Sequence, residues 1–335
     1  MSNAVCSETT FKGLKAYKLE ADKYSCVIVP ELGGDVMRMR DEKLDMEIFR
    51  YREEATLEKI NESRVLWGLP TLYLPNRFDG GVLKTSDDCY RFPINEPKLG
   101  NCIHGWVHER EHKVVSAKAE NGIATLVTCY EFDKNDAMYQ YMPLKFRLTY
   151  TYTLSADGLR QDIELENLSD KMLPVSLCTH TCINAPIVKG GKQEDMRLRV
   201  PAELKCELNE RSLPTEKLLP LDDRDKQYKN GDMHPVLQDI DNDMYTAGMN
   251  TLDGEPFNGA VTTDVGTGRM IINEVSAEYR FWNMWNDKGV NGYFCPEPMT
   301  AMINSANLSL PREVTGYTEI AKGEKYSCWQ SFCTR

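Results

Sequence analysis

Phe146-Arg147-Leu148-Thr149-Tyr150-Thr151-Tyr152-Thr153-Leu154 is the stretch that decides the fold class. Large apolar side chains alternate with Arg and Thr, and in a strand successive side chains point to opposite faces. One face is therefore apolar and inward and the other polar and outward, as in a half-buried antiparallel strand. Asp157-Gly158 then turns the chain into Leu159 to Asn167, where Ile163 and Leu165 keep the period of two, so the pair is a hairpin. A second hairpin precedes it, with Val114, Val115 and Ala117 leading to Asn121-Gly122 and Ile123 to Phe132 returning. Asn-Gly suits such a turn because both of its positions need positive φ.

Working outward, similar strands flank Gly266-Thr267-Gly268, and short ones recur at Tyr24 to Val29, Met196 to Val200, Tyr279 to Trp285 and Tyr326 to Phe332. Helix signals are confined to Glu53 to Val65 and a short piece after Leu219. There is no βαβ alternation, internal repeat, charge block or Ser/Gly-rich linker. Antiparallel sheets must bury their apolar faces on something, so the expected fold is all-β, a large antiparallel β-sandwich forming a single domain over residues 1–335.

The chain has 335 residues, 41% of them hydrophobic, and 40 Lys+Arg against 51 Asp+Glu for a formal charge of -11. An acidic chain is a poor partner for phosphate backbones or anionic lipid, so neither nucleic acid nor a membrane surface is an expected partner. The longest apolar-rich stretch, Val65 to Leu74, is about half the roughly 20 residues that cross a bilayer, and Met1 to Ser25 lacks a signal-peptide apolar core. Eleven cysteines with no CxxC pair fit a reducing compartment, where they serve as small buried hydrophobes. A cytoplasmic protein, monomer or homodimer, is expected.

Several segments carry candidate chemistry. His108-Glu109-Arg110-Glu111-His112 satisfies H-E-x-x-H, but that motif binds zinc only from a helix, and Gly105 before it and Val114-Val115 after it point to a charged loop or strand edge with two surface histidines. No metal or other cofactor is expected. Pro75-Asn76-Arg77-Phe78-Asp79-Gly80-Gly81 is a rigid polar loop: Asn76 and Arg77 suit the hydroxyls of a ligand, or Arg77 pairs with Asp79 in a turn. His104 precedes a glycine, where an imidazole can face a cleft, and His180 lies in a mildly apolar run where burial would lower its pKa unless a carboxylate approaches.

Glu297 sits between Pro296 and Pro298. Each proline biases the residue before it to extended backbone, so the direction of this carboxylate is preset, and an apolar setting would raise its pKa toward neutrality. Trp282 and Trp285 lie three apart on a strand and so face opposite sides, one toward the core and one toward a cleft. Flat aromatic faces beside Arg, Asn, His and Glu suit a neutral sugar.

Taken in order, Leu32-Gly33-Gly34, Gly68-Leu69-Pro70, Pro75 to Gly81, Tyr90 to Pro97, Asn101 to Gly105, His180 and Cys295 to Pro298 resemble the aldose 1-epimerase (galactose mutarotase) family over about residues 24 to 332. The resemblance implies a single large β-sandwich with a sugar cleft, and a cofactor-free isomerase that interconverts the α and β anomers of an aldohexose such as galactose or glucose. It implies Glu297 as the base at O1, His180 as the acid at O5, and His104, Arg77, Asn76 and Trp282 in substrate binding. The family also binds hydroxyls through an Asp, for which Asp241 and Asp243 compete. Two departures stand out. Thr181-Cys182-Ile183 replaces the aromatics usual after His180, and His108 stands where many members have Arg. A hexose-6-phosphate 1-epimerase or a non-catalytic carbohydrate-binding protein of the same fold are the alternatives.

Overall fold

The computed structural model describes residues 4–335. Two eight-stranded antiparallel sheets and a five-stranded N-terminal sheet make up most of it. The first large sheet runs, in spatial order, Lys113–Glu120, Ile123–Phe132, Phe146–Ser155, Gly158–Asn167, Lys325–Thr334, Arg269–Val275, Gly259–Asp264 and Met196–Arg199. Both hairpins read from the sequence are there: Asn121 and Gly122 have φ of 53° and 79°, and Phe146 pairs with Asn167 in a register that continues to Ser155 and Gly158. Phe146, Leu148, Tyr150, Tyr152 and Leu154 are all fully buried. Each contributes roughly 1.5–3 kcal/mol of burial, and a one-residue slip would turn all of them outward, which holds the register.

The second large sheet holds the cleft. Its order is Pro214–Pro220, Ala202–Leu208, Asp241–Ala247, Phe281–Trp285, Tyr293–Met299, Cys178–Thr179 and Thr71–Leu72, with Ile183–Asn184 also paired to Tyr293–Met299. One apolar cluster, running from Tyr17 through Tyr150 and Trp282 to Phe332, joins it to the first sheet. Polar contacts cross the same gap. Gln330 donates to Gln161 (2.7 Å), Gln161 to the Thr71 hydroxyl (3.0 Å), and the Thr179 hydroxyl to Gln330 (3.1 Å). All four residues are fully buried, so each needs its partner, and the network ties the strand entering His180 to the opposite sheet.

Three expectations change. Glu53 to Val65 is not one helix but a short helix Leu57–Asn61, capped by the Thr56 side chain, followed by a 3₁₀ turn Arg64–Leu66. Arg64 breaks it, since its guanidinium turns inward to buried Asp35 (3.5 Å) and the His108 carbonyl (3.2 Å). His108 and His112 are buried rather than on the surface. The His112 ring stacks on Tyr150 at 4.6 Å and on Tyr130 at 5.9 Å, and Gly34, with φ of 69°, lets backbone approach so closely that a Cβ there would lie 2.9 Å from the ring. Between the two histidines only Val107–Glu109 forms a 3₁₀ turn and Arg110 is extended, so they do not share a helix face. Arg77 pairs with Glu96 rather than Asp79, which instead meets Arg211. The short helix after Leu219 is Asp225–Asn230.

Candidate active site

A cavity of about 370 Å³ opens on the cleft sheet, and Asn76, Arg77, His104, His180, Asn242, Asn283, Trp285 and Glu297 line it together with Glu62, Ser63, Val65, Leu66 and Ile103. Strand register explains much of the gathering. Cys178 lies opposite Met299, and Asn184 opposite Tyr293. The same register carried along the strand places His180 across from Glu297 and Cys182 across from Cys295, all four on one face by the period of two. On the other side of Tyr293–Met299, Asn283 lies opposite Glu297 and Trp285 opposite Cys295.

The proline pair around Glu297 is legible in that ladder. The Thr300 amide donates to the Leu177 carbonyl, and the Ala185 amide to the Gly292 carbonyl. By alternation the amides of residues 296 and 298 would also point at the His180 strand, and both are prolines. That strand is held from its far side instead, with the His180 amide on the Pro70 carbonyl (2.8 Å) and the Cys182 amide on the Gly68 carbonyl (3.2 Å). Acid and base candidates are thus mounted on separately anchored strands.

His180 Nε2 lies 3.3 Å from Glu297 Oε1. Burial pushes the Glu297 carboxyl up, the facing imidazole opposes it, and the net position is about 7. Burial alone would discharge His180, but the Glu297 carboxylate and a contact to Cys182 more than reverse this and hold the imidazole up at about 9. His104, whose ring meets His180 edge-on at 5.4 Å, is pushed well below the ordinary range by burial and by the neighbouring His180 charge, so it is neutral. His104 and Gly105 both have positive φ, and a Cβ at residue 105 would lie 2.4 Å from the Tyr73 carbonyl, so glycine there lets the loop turn His104 into the cavity.

Arg77 is held as a fixed fork: its guanidinium is bidentate to Glu96 (2.8 and 2.9 Å) and reaches the side-chain oxygens of Asn76 (3.3 Å) and Asn242 (3.2 Å). Its neighbour Asn76 takes a φ of 53°, which Asn tolerates.

Three candidates from the sequence do not line the cavity. Trp282 is fully buried in the core between the sheets, and Trp285 takes the cleft side; the two indoles face opposite ways as expected, with roles exchanged. Asp241 is exposed and accepts from Asn242 (2.8 Å), while Asp243 is held outside by the Tyr228 hydroxyl (2.9 Å) and Arg224 (2.8 Å). A register shift between residues 241 and 243 pushes Asn242 out of the ladder at φ of 59°, so the amide reaches the cavity and the flanking carboxylates do not. Asn242, Asn283, Trp285, Glu62 and Ser63 were missed by the reading of the sequence. Only Trp285 carried a signal there, through its alternation with Trp282.

The family profile described as Aldose 1-epimerase matches residues 15–333. The chain belongs to the aldose 1-epimerase family. Among solved structures, it is similar to a galactose mutarotase-like protein from Clostridium acetobutylicum, at 28% identity over 99% of both chains with a TM-score of 0.96. It shares the fold of a galactose 1-epimerase from Lactobacillus acidophilus NCFM, with a TM-score of 0.73 at 15% identity over 100% of this chain and 99% of that one. Chromosomal LacX of Lactococcus lactis is 27% identical over 176 residues, 52% of this chain and 55% of LacX, so the match spans about half the length of that relative. Among the described residues, no helix is long and apolar enough to cross a membrane.

Proposed function

We propose that the protein is an aldose 1-epimerase interconverting the α and β anomers of an unphosphorylated aldohexose such as galactose or glucose. The observation that carries the reading is the His180–Glu297 pair, 3.3 Å apart at the floor of a cavity of about 370 Å³, with its two groups shifted so that carboxylate and imidazolium coexist near neutral pH. Glu297 takes the proton from O1 of the anomeric centre. The C1–O5 bond breaks as the C1–O1 double bond forms, and O5 takes the proton of His180 Nε2. Rotation about C1–C2 presents the other face of the aldehyde, and the same two groups run the steps backward. Arg77, Asn76, His104, Asn242 and Asn283 hold hydroxyls, and Trp285 offers its ring to the C–H face of the sugar. Of the candidates drawn from the sequence, Trp282, Asp241 and Asp243 take no part in this assignment.

One feature favours an unphosphorylated sugar. Arg77 is the one Lys or Arg among the described residues lining the cavity, and Glu96 already engages it, while Glu62 adds a carboxylate. A phosphate group would need a free cation there. Polarimetry on freshly dissolved α-galactose and α-glucose tests the reading: the wild type should accelerate the decay of rotation over buffer, and Glu297→Gln should return it to the buffer rate. A wild type no faster than buffer on both sugars would sink it.

A further inference from the structure

Behind the imidazole that carries the acid function lies a second group of donor atoms. Cys182 Sγ is 3.5 Å from Cys295 Sγ and 3.6 Å from His180 Nδ1, and all three donor atoms lie within 4.8 Å of one another. The three side chains are buried. They meet for the reason that His180 and Glu297 meet, since they occupy successive same-face positions of one ladder. The two ring nitrogens of His180 are therefore divided, with Nε2 toward Glu297 and Nδ1 toward the sulfurs.

The two separations from Cys182 Sγ lie close to two edges of a zinc tetrahedron, and the third donor atom is within reach of the same centre. With Zn–S of about 2.3 Å and Zn–N of about 2.0–2.1 Å, the S–S edge is about 3.8 Å and the S–N edge about 3.6 Å. Cys182 Sγ lies 3.3 Å from the carbonyl of Val65, a residue that lines the cavity, so the donor group sits directly behind the cleft wall. Two sulfurs and one imidazole nitrogen select soft, thiophilic ions over magnesium or calcium. The charge also balances. The Arg50 guanidinium, stacked on Trp67 (4.1 Å) and Tyr293 (3.7 Å) and donating to the Leu66 carbonyl (2.9 Å), stands beside the thiols. Two thiolates and the Glu297 carboxylate against Arg50 and a divalent ion sum to zero.

We propose that Cys182, Cys295 and His180 Nδ1 form a binding site for a thiophilic metal ion such as Zn²⁺ or Cd²⁺, and that filling it slows the reaction of the adjoining cleft. The second half rests on the epimerase reading above. A metal on Nδ1 replaces a proton there, so the ring keeps Nε2–H but would have to become an imidazolate to give it up, which makes it a poor acid at O5. It is a different site from the H-E-x-x-H segment, neither of whose histidines belongs to this donor group.

The test uses the reduced full-length chain with all eleven thiols verified. Cadmium titration should give a thiolate charge-transfer band that saturates at one ion per chain. Cys182→Ser and Cys295→Ser should each weaken binding by at least about tenfold, whereas Cys333→Ser, on the Lys325–Thr334 strand of the other large sheet, should leave it unchanged. X-ray absorption of the zinc-loaded wild type should report two sulfur neighbours, a readout that needs no variant to fold. An oxygen-only shell, no saturable band, or a band that survives the Cys182→Ser/Cys295→Ser double variant would overturn the site. In the polarimetric assay one equivalent of zinc should lower kcat at least about tenfold, reversibly by chelator, and an unchanged kcat in metal-loaded protein would overturn the inhibitory half. A chain inactive with and without metal would count against the epimerase reading, while the cadmium titration would still decide the site.

Discussion

His180 and His112 are both closed to solvent, at 3% and 1% exposure, yet their charges go opposite ways: His180 is held up at about 9 and His112 is pushed down to about 3. Burial acts on both in the same direction. The difference is what each ring faces. His112 lies between tyrosine faces with one Thr128 hydroxyl at 3.3 Å, and nothing there compensates an imidazolium. His180 faces a carboxylate that is itself buried. An inaccessible imidazole is thus a neutral packing element or a charged group according to one cross-strand neighbour, and in this fold register chooses that neighbour.

Removing the carboxylate that faces His180 should have the largest effect. Glu297→Gln and His180→Gln are each expected to lower kcat by ~10²–10⁴-fold with little change in KM, and the double variant to lose little more, because the two act as a unit. In Glu297→Gln, NMR titration of His180 should fall below the ordinary 6.5, while His112 stays where it is. An unmoved His180 would show that Glu297 is not what holds its charge.

The pH profile sharpens it further. The proposed mechanism needs Glu297 ionised and His180 protonated, so kcat/KM should rise as pH passes about 7, hold, and fall beyond about 9. A single falling limb through the neutral range would contradict the assignment of base and acid. A smaller effect is expected at the binding fork: Arg77→Lys loses the bidentate contact with Glu96 and should raise KM by roughly tenfold with kcat nearly retained.

The smallest effect on turnover belongs to the packing histidine. His112→Phe should leave kcat within about twofold and change acid stability instead. His112 titrates at about 3 in the folded chain and near 6.5 when unfolded, so between those values the unfolded state binds a proton that the folded state refuses. Its contribution to stability is complete above about 6.5 and is lost as pH falls toward about 3. The variant lacks this loss, and its urea midpoint should decline less steeply over that range.

The frame was legible because it rests on local rules. Period-two alternation at Phe146 to Leu154 and Asn-Gly at residues 121 and 122 each specify backbone geometry from a few neighbours, and the structure has both hairpins. The Pro-Glu-Pro segment and the glycine after His104 were readable for the same reason, since proline fixes φ and glycine admits the positive φ of a tight turn. What escaped depends on partners distant in sequence. Which of Trp282 and Trp285 faces the cleft is set by where the opposite sheet packs, and nothing within their strand records that. Asn242 enters the cavity through a register shift whose cause is the pairing of residues 241–247 with 281–285. His108 and His112 read as surface groups because Glu and Arg surround them, but tyrosines from other strands bury His112, and the inward-turned Arg64 packs on the His108 segment.

The prolines that flank Glu297 bear on mechanics as well as direction. Under the proposed mechanism a sugar enters between His180 and Glu297, and that needs the two groups farther apart than the 3.3 Å that separates them here. In an unbroken antiparallel ladder, spreading two strands would mean rupturing a full set of cross-links. At residues 296 and 298 half of those links cannot exist, because the nitrogen that would supply them is closed into a ring. The seam between the two strands therefore carries fewer cross-links than an unbroken ladder would, and under the proposed mechanism it runs where the ring oxygen and the anomeric hydroxyl are accommodated.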